Sequence, residues 1–131
     1  VKTFRDPDTV HAPVAGCTHQ IEVSGSPRWL VLSGQLGQAR DGSVPEDPGD
    51  QLALAVENVR HNLAAAGMTV DDLVKVTIYL TEQVDPARRR EVLGEWLGGH
   101  KPCMTLVVVV ALAAPQYKVE VDACACHLPT N

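Results

Sequence analysis

The sequence predicts an α+β domain, a mixed sheet with two helices on one face, in the order β-β-α-β-α-β-β. Three observations carry this. Segments opening at Asp47-Pro48 and Asp85-Pro86 place apolar residues at helical spacing. Leu73–Leu80 and 117–126 alternate apolar and polar residues with a period of two. The run Met104-Thr105-Leu106-Val107-Val108-Val109-Val110-Ala111-Leu112 is too branched for a helix and too continuously apolar for a solvent-facing strand. The 131 residues suit a single domain, 1–131, with one core.

The elements follow in order. Residues 1–16 hold Pro7, Pro13 and Gly16 and read as irregular, with room for one short edge strand. Ile21 and Val23 then alternate weakly with Gln20 and Glu22, Ser24-Gly25-Ser26-Pro27 signals a turn, and Arg28-Trp29-Leu30-Val31-Leu32 reads as a buried strand, so the pair predicts a hairpin. Ser33-Gly34-Gln35-Leu36-Gly37 ends it, and a polar loop runs to about Pro48. Asp47 is placed to cap the first helix with Pro48 at its first position. Leu52, Ala55, Val56, Val59, Leu63 and Ala66 form its apolar stripe, and Gly67 is placed to end it in the left-handed conformation. In the next strand Val74, Val76, Ile78 and Leu80 face one way, and Lys75, Thr77 and Tyr79 the other. Asp85-Pro86 repeats the helix start, Val92, Leu93, Trp96 and Leu97 supply the stripe, and Gly98-Gly99 stops it. The apolar strand is expected over 104–112, broken by Pro115, and the last strand over 117–126. Because 107–110 is apolar on both faces, the second face is expected to be covered by another chain, most simply in a closed ring of subunits.

Composition narrows the function classes. Apolar residues are 45% and aromatics 4%, so the core is built from Val, Leu and Ala and not from an aromatic-lined cofactor pocket. The formal charge of -5 repels phosphate backbones, and Arg88-Arg89-Arg90 reads as a solvated helix face, so nucleic acid is not the expected partner. No apolar run approaches the ~20 residues that span a bilayer. Val1-Lys2-Thr3-Phe4-Arg5-Asp6 turns polar at once and does not read as a signal segment. Cys17, Cys103, Cys124 and Cys126 form no C-x-x-C pair and read as reduced thiols, which points to a cytoplasmic location. Cys124-x-Cys126-His127 has metal-ligand types but lacks a second ligand pair, so no metal is expected.

Several motifs in a fixed order point further. These are Leu32-Ser33-Gly34-Gln35-Leu36, the helix over 51–67 with Val56-Glu57-Asn58-Val59, and Asp71-Asp72-Leu73-Val74-Lys75-Val76-Thr77-Ile78-Tyr79-Leu80-Thr81. His100-Lys101-Pro102 and Val119-Glu120-Val121-Asp122-Ala123 complete the set, which covers nearly the whole chain. The sequence thereby resembles the RidA/YjgF reactive-intermediate deaminase family, also called endoribonuclease L-PSP or translation-initiation inhibitor. The resemblance implies a homotrimeric barrel with small-molecule pockets at the subunit clefts. It implies hydrolysis of reactive enamines or imines to carbonyl compounds and ammonia, without a metal or bound cofactor. It makes Glu120 the carboxylate that holds the catalytic water, Ser33 and Gly34 part of the pocket loop, and Trp96 an aromatic beside it.

The sequence departs from the family pattern at the substrate anchor. An arginine follows Pro-Ala in the family, whereas this chain has Pro102-Cys103-Met104-Thr105. Methionine cannot hold a carboxylate through two parallel charge-assisted hydrogen bonds. The family's pocket tyrosine aligns with Cys17, so Cys17, Cys103 and Met104 would make the substrate side apolar and sulfur-rich. The expected activity is hydrolysis of a C=N bond without the usual carboxylate anchor. The alternative is a non-catalytic small-molecule-binding or regulatory trimer, with ribonuclease or translation inhibition less favoured.

Overall fold

The computed structural model describes residues 1–129. Among them are seven strands and two helices: β1 (Lys2–Arg5), β2 (Gln20–Val23), β3 (Arg28–Val31), β4 (Gln35–Leu36), α1 (Pro48–Ala65), β5 (Leu73–Leu80), α2 (Pro86–Leu97), β6 (Cys103–Val108) and β7 (Val119–His127). A single 3-10 turn, Val70–Asp72, leads into β5. The main sheet runs β3-β7-β5-β6, with the short β4 also paired to β7. It is mixed: β5 and β6 are parallel, joined through α2, while β7 is antiparallel to β3, β4 and β5.

Local chemistry sets the helices. Asp47 accepts a hydrogen bond from the Asp50 N–H (2.9 Å) and Asp85 one from the Arg88 N–H (3.1 Å), each satisfying a donor the helix leaves open, with proline next in line. Gly67 follows α1 at φ 70° and Gly98 caps α2 at φ 61°, conformations that cost a side chain steric strain. The α1 stripe Leu52, Ala55, Val56, Val59 and Leu63 is buried against Val76, Ile78 and Leu80 of β5 and Val119, Val121, Ala123 and Ala125 of β7. Val92, Trp96 and Leu97 of α2 join the same core. Each fully buried Val, Leu or Ile stabilises the fold by about 1.5–3 kcal/mol relative to exposure.

Three expectations need correction. β3, expected to be buried, lies at the edge of the sheet and leaves Trp29 and Val31 exposed. The segments 19–23 and 28–32 do not form a hairpin. β2 pairs with β1, Val23 opposite Lys2, while β3 pairs with β7, Trp29 opposite Cys126. The Val1 amino group and the Ser24 carbonyl close the β1-β2 ribbon at 2.6 Å, and Gly25 at φ 101° turns the chain away. Alternation reports which face of a strand is apolar, not which strand lies beside it. The apolar strand also ends at Val108, four residues short of the expected end. Its partner β5 stops at Leu80, whose carbonyl takes a last hydrogen bond from the Val109 N–H (2.7 Å), and beyond that no ladder exists to extend.

Candidate active site

Strand register assigns each functional side chain to a face. Residues paired across a ladder share a face, and successive residues along a strand alternate. Tyr79 pairs with Glu120 and with Val107, and Thr77 with Asp122 and Thr105. These residues therefore lie on the face away from the helices. Glu120 and Asp122, two apart on β7, stand about 7 Å from each other along the strand.

The Glu120 carboxylate rests against the backbone of Gly34. A Cβ on that glycine would stand 1.8 Å from Glu120 Oε2, so only glycine leaves the carboxylate its position. The Tyr79 hydroxyl donates to Asp122 Oδ2 at 2.9 Å. That hydrogen bond, with some burial and the charges of Asp122 and Glu120, pushes the Tyr79 phenol above its ordinary pKa. Gly34, Tyr79, Glu120 and Asp122 line an open cleft of about 260 Å³, closed on one side by Val109, Ala111 and Leu112. These three residues reach it because the chain has left the sheet after Val108.

Gly34 also borders a second, wider cleft of about 420 Å³, lined by Gln38, Arg40 and Asn58 among others. Polar residues of α1 hold its loop. Asn58 Nδ2 donates to the carbonyls of Leu36 and Gln38, both at 3.0 Å. The fully buried Gln51 amide donates to the carbonyls of Pro45 (2.7 Å) and Gln116 (3.0 Å) and accepts from the Lys118 N–H (2.9 Å). Gly37 passes so close to Gln51 that a Cβ would lie 2.6 Å from its Cα. Helix α1 thus fixes the loop that carries Gly34 and the turn that leads into Glu120.

The sequence-predicted residues separate into three places. Gly34 and Glu120 line the smaller cleft, whereas Ser33, next to Gly34 in the chain, is exposed and lines neither cleft. Cys17 and Cys103 lie elsewhere. The Thr18 N–H donates to the Pro102 carbonyl (3.2 Å), its hydroxyl to the Lys101 carbonyl (2.6 Å), and Cys103 Sγ to the His19 carbonyl (3.7 Å). Burial pushes the Cys103 thiol up, against the opposing pull of Lys75. Cys103 pairs with Lys75 and Glu120 with Tyr79, four residues further along β5, a separation of about 13 Å.

Met104 pairs with Val76, which turns it to the helix side, where it packs against the core. It therefore shares no face with Glu120 within one chain. Trp96 is core, 8% exposed, and lines neither cleft; its indole N–H is buried without a hydrogen-bond partner among the described residues. His127 falls on the opposite side of β7 from Cys124 and Cys126 and is bound by Asp72 at 2.9 Å. Sequence reasoning missed Tyr79, Asp122 and the wall at 109–112. For the first two the signal was available, since alternation put Tyr79 and Asp122 on the polar sides of their strands.

The fold and cleft define an α+β domain with a carboxylate poised on the open face of a helix-backed sheet. Residues 10–127 match the family model described as endoribonuclease L-PSP, and the chain belongs to this family, the RidA/YjgF proteins. It is 34% identical to TdcF from Escherichia coli, named as a candidate reactive intermediate deaminase, over 73% of this chain and 77% of that protein. It is likewise 34% identical to a RutC family protein from Pyrococcus horikoshii, over 74% of this chain and 78% of the other. Among solved structures, a Rid family protein of unknown function from Yersinia pestis superposes with a TM-score of 0.83 at 26% identity, covering 96% of this chain and 98% of that one. Escherichia coli TdcF with bound serine gives 0.70 at 25% identity, covering 96% and 99%. Among the described residues no helix is long and apolar enough to cross a membrane.

Proposed function

We propose that this chain works as a homotrimer and hydrolyses the C=N bond of a reactive enamine or imine that lacks a carboxylate. The observation that carries the proposal is the Glu120 carboxylate, lodged against Gly34 in an open cleft. A carboxylate so held can accept a hydrogen bond from water and orient it toward an electrophilic carbon. Water adds to the C=N carbon, one of its protons passing by way of Glu120 to nitrogen; the proton of the resulting hydroxyl then follows to nitrogen as the C–N bond breaks with its electron pair, leaving a carbonyl compound and ammonia. An enamine joins the same course once protonation at carbon has made it an imine. The family resemblance implies no metal or cofactor for this chemistry.

Assembly draws support from apolar surface at both edges of the sheet: Trp29 (57% exposed) and Val31 (73%) on β3, and Leu106, Val107 and Val108 on β6. A trimeric arrangement would bring Met104, Cys17 and Cys103 of one subunit toward the Glu120 cleft of another. With methionine in place of the arginine, a carboxylated substrate loses on the order of several kcal/mol of anchoring.

An ammonia-release panel tests the reading. Enamines and imines without a carboxylate should turn over, 2-iminobutanoate should turn over slowly, and Glu120→Ala should stop both. Rapid release from 2-iminobutanoate overturns the substrate assignment, and activity unchanged in Glu120→Ala removes the mechanism. The same Met104 substitution favours a second reading, a binding trimer without chemistry, which predicts saturable ligand binding and no turnover with any panel member.

A further inference from the structure

We infer that the hydrogen bond from Tyr79 to Asp122 is a tether that holds the approach to Glu120 open, so that both act as positioning residues for the proposed hydrolysis. This rests on the hydrolase reading above and adds two residues to its site.

Tyr79 and Glu120 stand opposite each other across the β5-β7 ladder, on the open side of the sheet. Side chains so paired have their Cβ atoms about 4.5–5.5 Å apart and ordinarily pack against each other. These two diverge. Glu120 leans toward Gly34, where only the lack of a side chain leaves room for its carboxylate. Tyr79 leans the other way, and its hydroxyl donates to Asp122 Oδ2 at 2.9 Å. Thr77, the ladder partner of Asp122, has its hydroxyl close enough to the phenol oxygen to oppose the rise in the phenol pKa. The space between the parted side chains is part of the cleft that Val109, Ala111 and Leu112 also line.

Lys75 follows on the same face, opposite Cys124 and one row past Asp122. Its ammonium donates to the Thr105 hydroxyl at 2.7 Å, which leaves Asp122 to Tyr79. Both ends of the tether belong to one sheet of one chain, so neither depends on a neighbouring subunit. Without the bond, the half-buried ring regains the rotamers that turn it over Glu120, where the water must sit. A ring that closes this approach lowers the fraction of molecules able to bind. That raises KM and leaves kcat of the bound complex in place.

Asp122→Ala, Asp122→Asn and Tyr79→Phe separate a tether from an effect of charge, assayed by ammonia release from an imine without a carboxylate. Asp122→Ala and Tyr79→Phe should each raise KM roughly tenfold, the worth of one hydrogen bond, with kcat within about twofold of the parent. The double variant should be no worse than either alone, because both remove the same bond. Asp122→Asn loses the charge but keeps an oxygen that accepts from Tyr79, and should stay within about twofold of the parent KM. A second readout needs no turnover. Tyr79 and Tyr117 are the only tyrosines, so fluorotyrosine labelling gives one fluorine NMR resonance for each, and Tyr79→Phe assigns them. The Tyr79 resonance should move in Asp122→Ala and stay near its parent position in Asp122→Asn. A fall in kcat in place of a rise in KM, or a Tyr79 resonance that ignores the loss of Asp122, overturns the tether. The two readings fail separately. Glu120-dependent hydrolysis with an unmoved KM in Asp122→Ala and Tyr79→Phe overturns the tether alone, whereas the expected fluorine shifts with no turnover of any imine overturn hydrolysis alone.

Discussion

β5 and β7 present two faces on one backbone. On the helix side Val76, Ile78, Leu80, Val119, Val121 and Ala123 are at most 3% exposed. On the other side the same strands offer Lys75, Thr77, Tyr79, Glu120, Asp122 and Cys124, each still reached by solvent. Residues one position apart therefore have separate jobs. The first set holds the domain together by burial, and the second carries charge and hydrogen-bonding groups whose removal leaves the core unchanged. A member of this family can thus change its chemistry on one face without disturbing the packing beneath it.

The sharpest test of that division is Glu120→Gln. It should lower imine hydrolysis by about 10²–10⁴-fold, the usual reach of general acid–base catalysis. Its urea midpoint should shift by no more than about 0.5 kcal/mol of stability, as for other surface changes. Ile78→Ala, on the opposite face of the neighbouring strand, should do the reverse. It should cost about 2–5 kcal/mol in urea unfolding while the folded fraction keeps its specific activity. A large activity loss there, at unchanged stability, would break the comparison.

A pair of glycine substitutions sharpens it. In Gly37→Ala the new methyl meets the Cα and carbonyl of Gln51 at 2.6 Å, backbone that cannot swing aside, and a loss of about 1–3 kcal/mol is expected. In Gly34→Ala the obstacle is the movable end of Glu120, so the carboxylate shifts and turnover falls while the melting temperature holds. The smallest effect concerns pH. Burial opposes the charge on Asp72, but the Thr69 N–H (3.0 Å), His127 (2.9 Å) and Lys2 (3.9 Å) outweigh it and hold the carboxyl below its ordinary pKa. A depressed carboxyl stabilises the fold above the unfolded-state pKa, and that contribution disappears as pH falls through the folded-state value. Asp72→Asn should therefore be less stable than the parent at neutral pH, with the gap closing in acid, as read from melting temperatures across pH.

Most of the element order was legible because period and caps are local. Asp47-Pro48, Asp85-Pro86 and the stripe from Leu52 to Leu63 each announce themselves within a few residues. Pairing was not. The partners of β2 and β3 depend on Val1 and on Cys126, far away in sequence, and the apolar run after Thr105 carries no mark for where the ladder stops. At the site, Glu120 and Gly34 could be named through family resemblance. The placement of Met104 on the helix side follows from its ladder partner Val76, and the burial of Trp96 from tertiary packing.

One small irregularity governs all of this. Between Leu73 and Lys75 the register against β7 slips, with Leu73 opposite Ala125 but Lys75 opposite Cys124, so that Val74 is an extra residue. The bulge acts as a reading frame for the strand that follows. Deleting Val74 or inserting one residue beside it leaves every other side chain chemically intact, yet threatens to exchange Ile78 for Tyr79 beneath the helices. Evolution can rewrite the letters of this strand freely on its open side, but at that position it cannot easily change their number.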